Sequence, residues 1–432
     1  MKNFFCKIWV TILLFLSVYI CDAQQIDTVT RNWFAFSQKV SVENLEGKKF
    51  KLTAAVKAYC ANDIASASLW ARVDKKNGEN GFFDNMINRP IKKKQWQLYS
   101  IEGTIDSGAK ELVIGGLCVY NGTFTFDEFK LLIQNNEKWE NIAIENANFE
   151  NIKNTAWETG IGRKQFVVKN FDNNIINKNA FGGNKCFEIK SCNIEMYGED
   201  SKFGKYYETN KAKIYYEEYG KGEPLLLLHG NGQSIEAMNN QINFFKNKYR
   251  VIIPDCRGRG KSIDSDDELT YDIQASDMNN LLTYLKVDSA NIIGWSDGGI
   301  IGLIMAKDYP IKVKKLIASG ANVLQDTTAY FPKDLENFKQ IMKDSTVPNN
   351  YKKLYNLMIK YPNISFAELG KIKCPTLIVA GDNDEIRIEH TVKIFQAITK
   401  GQLFIVPKTS HYVLSENVKV FNDAVFKFLL EK

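Results

Sequence analysis

Gly294-Trp295-Ser296-Asp297-Gly298-Gly299 sets a serine among glycines, directly after the apolar run Asn291 to Ile293 and at the head of the helical run Ile300 to Lys307. A serine on a sharp strand-to-helix turn lifts its hydroxyl above the sheet edge and over a helix N-terminus, where partial positive charge favours a developing anion. The chemistry this suits is nucleophilic attack on an acyl carbonyl, which needs a base and a group that orients the base. Only three histidines exist, His229, His390 and His411. His229 ends the apolar run Leu225 to Leu228. His390 lies in a predicted helix start, where it is expected to face solvent or serve packing. His411 follows the last apolar run, Leu403 to Val406, in a loop that can swing an imidazole back toward Ser296, and it is the base by elimination. The acid is expected after the run Thr376 to Ala380, where Asp382, Asp384 and Glu385 compete.

The elements that must position these groups are legible around them. Leu225 to Leu228, Val251 to Ile253, Asn291 to Ile293, Leu316 to Ala318, Thr376 to Val379 and Leu403 to Val406 are short, continuously apolar runs, as expected of parallel strands buried on both faces. Helical stretches separate them, which predicts an α/β domain with a mostly parallel sheet over about residues 203–432. Tyr206-Tyr207 and Lys213-Ile214-Tyr215-Tyr216 read as a leading hairpin. An insertion over about 322–372, with helical stretches around Leu335 to Met342 and Tyr351 to Ile359, is expected to shape substrate choice.

These motifs resemble those of the α/β-hydrolase family, and the resemblance covers about residues 205 to 430. The serine segment looks like the family's nucleophile elbow, and the chain order Ser296, Asp384, His411 is the one this fold requires. The match of Gly381-Asp382-Asn383-Asp384 to the family's Gly-x-x-Asp selects Asp384, leaving Asp382 and Glu385 as turn and helix-start residues. His229-Gly230-Asn231-Gly232 resembles the oxyanion loop, which implies the backbone N–H groups of Asn231 and Asp297 as oxyanion donors. Asp255-Cys256-Arg257-Gly258-Arg259-Gly260-Lys261-Ser262 resembles a further family loop, read as architectural, and the insertion resembles a helical cap. The elbow closely resembles that of the biphenyl-hydrolase-like branch, a similarity that continues into Lys315 to Asn322, and in that branch the matching aspartate binds the ammonium of aminoacyl esters. That implies Asp297, beside Trp295, as a substrate-binding residue, against the alternative that Asp297 only starts a helix. Dehalogenase and epoxide-hydrolase relatives are disfavoured, because they resemble this pattern with an aspartate where this chain has Ser296.

From about Arg31 to Ile133 the pattern instead has a period of two. Phe50, Leu52, Ala54, Val56 and Ala58 share one face and Lys51, Thr53, Lys57 and Tyr59 the other, with turn signals at Asn77-Gly78, Asn80-Gly81 and Asn121-Gly122. An antiparallel sandwich over 24–135 is expected, similar to the jelly-roll modules of exported bacterial enzymes, several of which bind carbohydrate. A glycan or polymer partner and a plain spacer are both consistent with it. Residues 136–202 read as a β-rich connector or small β segment.

At 432 residues the chain is long enough for two or three cores, and 44% hydrophobic with 25% charged residues excludes a disordered or fibrous class. The net charge of +6 is thinly spread, so no basic stripe points to nucleic acid. Lys2, Lys7, the apolar run Ile8 to Ile20 and Cys21-Asp22-Ala23 read as a secretory signal over residues 1–23, and export to the periplasm or beyond follows. That run is too short to span a bilayer, which takes about 20 residues, and Tyr19-Ile20 before Cys21 disfavours lipid anchoring. Six later cysteines match no zinc spacing; in an oxidising compartment Cys60 with Cys118, or Cys186 with Cys192, are plausible pairs. No cofactor or metal is expected. The overall expectation is an exported serine hydrolase of a carboxylic ester or amide; the alternatives are a peptidase of the same fold and a catalytically inactive binding or scaffold protein.

Overall fold

The computed structural model describes residues 28–29, 31–153, 156–159, 167–199, 202–209, 211–265 and 268–431. The expected signal over 1–23 lies outside the described residues. None of the described helices is long and apolar enough to cross a membrane.

Alternating side chains in the N-terminal half build two antiparallel sheets. One runs Glu158–Thr159, Trp33–Ser41, Ala109–Val119, Ser66–Lys75, Asn80–Asp84. The other runs Phe171–Ile176, Cys186–Ser191, Gly122–Asn135, Lys49–Cys60, Gln97–Thr104, with Lys138–Ile142 pairing beside Gly122–Asn135. Their inner faces meet over an aromatic core in which Phe36 lies 4.6 Å from Phe187 and 5.0 Å from Phe126, ring centre to ring centre. The alternation expected for Lys49–Cys60 breaks at a register shift between Thr53 and Ala55, so that Ala54, Ala55 and Val56 are all buried. Among the described residues of 136–202, Lys138–Ile142, Glu158–Thr159, Phe171–Ile176 and Cys186–Ser191 extend these two sheets and do not form a connector of their own, since short half-apolar strands are stable only against an existing sheet. Among the described residues Cys60, Cys118, Cys186, Cys192, Cys256 and Cys374 are free, and the pairs considered from sequence do not form. The Cys118 thiol is buried in the sandwich core, its Sγ directed at the Phe34 carbonyl.

The C-terminal half is an α/β-hydrolase fold. Its sheet runs Lys205–Glu208, Ala212–Tyr219, Tyr249–Pro254, Glu223–Leu228, Ala290–Trp295, Val313–Ser319, Thr376–Gly381, Gly401–Val406. Pairing is antiparallel as far as Tyr249–Pro254 and parallel from there on. Helices Tyr271–Tyr284, Asp297–Asp308 and Ile388–Ala397 cover one face and Asn239–Phe245 and Val418–Leu430 the other, which is why the central strands are apolar on both sides. After Tyr249–Pro254 the chain crosses to the opposite side of Glu223–Leu228, and a crevice opens beyond the strand ends at such a reversal. The two halves meet through Asn32, whose Nδ2 donates to Glu236 at 2.6 Å. Tyr197 packs in the hydrolase core and donates to Asn243 at 2.6 Å.

Candidate active site

Ser296 stands between the strand Ala290–Trp295 and the helix Asp297–Asp308 with φ +55° and ψ −117°, a conformation a serine holds only where its surroundings impose it. The flanking glycines are what allow it. A Cβ on Gly294 would stand 2.1 Å from the Gly298 carbonyl oxygen, and one on Gly298 would stand 2.2 Å from that of Leu228.

The structure brings His411 and Asp384 together: Nδ1–H of His411 donates to Asp384 Oδ1 at 2.7 Å, and both side chains are buried. This bond fixes the tautomer in which Nε2 carries the free lone pair. Burial acts to lower the His411 pKa, but the hydrogen bond and charge of Asp384, with Glu385 and Asp297 adding, outweigh it and the net shift is upward. Trp295 Nε1 donates to the His411 carbonyl at 3.0 Å, tying the base loop to the elbow. Ser296 and His411 both line a cavity of about 410 Å³.

The competing acids separate by role. Asp382 is exposed and accepts the Thr409 N–H at 3.0 Å, holding the acid turn against the base loop. Glu385 is exposed and lines the cavity. The other histidines are both locked on backbone amides. His229 accepts the Cys256 N–H at 2.9 Å through Nε2 and is paired through Nδ1 with the Gly230 carbonyl at 2.8 Å. His390 does not face solvent: it is buried and accepts the Val323 N–H at 3.1 Å, fastening the start of the insertion. Burial depresses both, to about 3 and about 4, so each stays neutral.

His229 ties the loop that starts at Gly230 to the segment after Tyr249–Pro254, and Gly230 itself lies against the elbow. A Cβ on Gly230 would approach the Ser296 Cβ to 3.3 Å and the Trp295 ring to 3.1 Å. Among the described residues the N–H of Asn231 donates to no protein group, and that of Asp297 is an orphan of the helix's first turn. Two unengaged amides beside one serine can receive an oxyanion. The Asn231 side chain reaches the other way, donating to the Leu354 carbonyl at 3.2 Å.

Asp297 is where the arrangement departs from expectation. Its carboxylate is not on the cavity wall; it turns beneath the helix start, bonded to the Arg259 guanidinium and accepting from Tyr271 Oη at 2.7 Å. Buried, neutralised by a cation and off the cavity wall, this carboxylate does not face a substrate ammonium, so the geometry gives amine binding by Asp297 no support. Trp295, its companion in that expectation, does line the cavity. The pairing of Arg259 and Tyr271 with Asp297 is not legible in the sequence, because 38 and 26 residues separate them from Asp297 and no local pattern marks a pair across such a distance. Arg257 in the same loop is architectural, with two bonds of 2.8 Å to Asp277. The helices Pro332–Lys343 and Asn349–Lys360 of the insertion supply Phe338, Tyr351, Tyr355 and Met358 to the cavity, signals that a sequence shows only as ordinary amphipathic spacing.

The family model for the alpha/beta hydrolase fold matches residues 223–359. A 2-hydroxy-6-oxo-6-phenylhexa-2,4-dienoate hydrolase of Comamonas testosteroni is 25% identical over 281 residues, 54% of this chain and 98% of that protein. Serine hydrolase BPHL of Mus musculus is 26% identical over 248 residues, 51% of this chain and 84% of that protein. Among solved structures, a hydrolase from Pseudomonas aeruginosa is similar with a TM-score of 0.46 and 19% identity, over 54% of this chain and all of that one.

Proposed function

We propose that the C-terminal half, which is similar to the alpha/beta hydrolase fold family over residues 223–359, is a serine hydrolase that cleaves a carboxylic ester through an acyl-enzyme. The observation that carries this reading is the 2.7 Å bond between His411 and Asp384 at a cavity that also holds Ser296 on its strained turn.

His411 Nε2 takes the Ser296 proton as Oγ attacks the carbonyl carbon, and Asp384 stabilises the imidazolium. The tetrahedral oxyanion is received by the N–H groups of Asn231 and Asp297, each worth about 3 kcal/mol in such a site. Collapse expels the alcohol, which takes the proton back from His411. Water, activated by the same imidazole, then releases the acid and restores Ser296. An amide would follow the same steps. The name of the Comamonas relative gives it a dienoate, an anion, to hydrolyse, and a cavity wall with a carboxylate and no lysine or arginine favours an ester over such an anion. Export, and glycan or polymer binding by the sandwich, remain parts of this proposal that rest on the N-terminal sequence and on the β architecture.

The test is labelling with a fluorophosphonate, followed by turnover of p-nitrophenyl esters. Native protein is expected to label at Ser296 and to cleave an ester. Full labelling of Ser296→Ala would sink the assignment.

A further inference from the structure

A second cavity, of about 490 Å³, opens where the five-stranded sheet of the sandwich meets the hydrolase half. Strand register builds one wall. Val119 lies opposite both Trp33 and Ser66, and Leu117 opposite Ser68, so these side chains share one face of the sheet while Phe34 and Cys118 turn to the aromatic core. The segment after Asn80–Asp84 supplies Ile87 and Pro90, and it is held where Ile91 pairs with Ala67. The other half of the molecule supplies Glu236. This residue stands on the single turn Ile235–Met238 that leads the chain away from the oxyanion loop, and the Ile235 N–H fixes the turn to Asp255 at 2.8 Å. The volume falls within the range of about 300 to 1,000 Å³ usual for small-molecule sites.

Ile87 and Ile64 stand at this cavity 83% and 37% exposed, an arrangement that costs free energy until something covers them. Asn32, only 5% exposed, and the hydroxyls of Ser66 and Ser68 offer hydrogen bonds within an otherwise aliphatic lining. Glu236 and Lys92 are its two charged residues, and among the described residues neither enters an ion pair: Glu236 takes the Asn32 amide at 2.6 Å, and Lys92 donates to the Asp63 carbonyl. Burial raises the Glu236 pKa, Glu199 adds to the rise and the Asn32 amide opposes it, as expected of a half-buried carboxylate that has no cation beside it.

One anion and one cation on an aliphatic wall with amide and hydroxyl groups match a ligand that has both charges, apolar side chains and amide bonds. A fatty acid would leave Glu236 without a cation, and a nucleotide would be repelled by it. A sugar needs an open ring to stack on, whereas one face of the Trp33 ring is taken by the Arg31 guanidinium at 4.6 Å and Tyr120 is buried. We propose that this cavity binds a short apolar peptide with free termini, its ammonium at Glu236, its carboxylate at Lys92 and its amides at Asn32, Ser66 and Ser68. The site lies apart from the catalytic cavity and its assignment goes beyond ester hydrolysis; the occupant rests on both halves of the protein.

The experiment is calorimetric titration of the full-length protein carrying Ser296→Ala, so that no turnover enters the heat. The probe is leucyl-alanyl-leucine, with its N-acetyl form, octanoate and cellotriose as comparisons. Saturable one-site binding of the free tripeptide is expected, weakened about tenfold by N-acetylation, the scale of a lost hydrogen bond to a charged group. Glu236→Gln is expected to weaken the tripeptide by the same factor and to remove the preference for the free ammonium. Ile87→Asp, at an exposed position where folding tolerates the change, puts a charge on the apolar rim and is expected to weaken binding as well. Both positions lie outside the catalytic cavity, so losses there separate this site from binding beside residue 296. No binding of the tripeptide, native strength in either variant, or tighter binding of octanoate or cellotriose than of the tripeptide overturns the proposal.

Discussion

Arg259 and Asp297 form an ion pair directly beneath the nucleophile, with 1% and 3% of their side chains exposed. Burial raises the Asp297 pKa while the Arg259 charge and the Tyr271 hydroxyl lower it, so the carboxylate depends on its partners for its charge. Removing Arg259 leaves that charge uncompensated. Arg259→Ala is expected to lose about 3 to 5 kcal/mol of stability, and Arg259→Met combined with Asp297→Asn to recover most of it. Urea unfolding of the three proteins decides; a loss below about 1 kcal/mol for the single variant would mean that the pair is not a structural unit.

The raised pKa of His411 sets a pH dependence. As a base it must be unprotonated, so kcat/KM is expected to fall with decreasing pH through a midpoint above the ordinary histidine value of about 6.5. The linkage runs with the same sign: the folded state holds this proton more tightly than the unfolded, so the contribution to stability is full below about 6.5 and is lost as pH rises through the folded value. Asp384→Asn removes the bond and the charge that raise it. The acid limb should move to lower pH, with kcat down by roughly 10³- to 10⁴-fold. A pH–rate profile of both proteins is the check, and an unmoved limb would show that Asp384 does not act on His411.

Gly298 has no room for a side chain. With the Leu228 carbonyl 2.2 Å from a Cβ built there, backbone must shift and Ser296 must move with it. Gly298→Ala should cost about 1 to 3 kcal/mol of stability and, more tellingly, most of the fluorophosphonate labelling rate. Labelling at the native rate would show that the elbow tolerates a wider turn.

Asn231 has separable main-chain and side-chain parts. Asn231→Ala keeps the N–H and removes the bond to Leu354, so an effect confined to cap anchoring is expected, with KM raised a fewfold and kcat little changed. A large fall in kcat with unchanged KM would instead put the side chain in the chemistry.

The hydrolase half should fold as its own unit, but with a start earlier than residue 203. Glu217 is fully buried and accepts from the Gly198 N–H at 2.7 Å, and Tyr197 packs in the same core. A fragment beginning at Glu195 is expected to melt higher than one beginning at Phe203. Equal melting temperatures in a thermal scan would count against this boundary.

What the sequence determined by itself is what neighbours along the chain enforce. Glycines around Ser296, a carboxylate after one apolar run and a histidine after the next are local signals, and the continuous apolar runs prescribe parallel strands because a two-sided burial leaves no polar face. The order of Ser296, Asp384 and His411 was readable for that reason, as was the two-period pattern of the N-terminal strands. Tertiary structure alone decided the rest. Glu158–Thr159 and Cys186–Ser191 joined the sandwich sheets because their partner strands, Trp33–Ser41 and Gly122–Asn135, lie tens of residues earlier. Asp297 was given to Arg259 and Tyr271 and withdrawn from the cavity, whereas Glu385 was left facing it. Which carboxylate is compensated depends on distances between elements brought together only by folding, and electrostatics acts through those distances, not through positions along the chain.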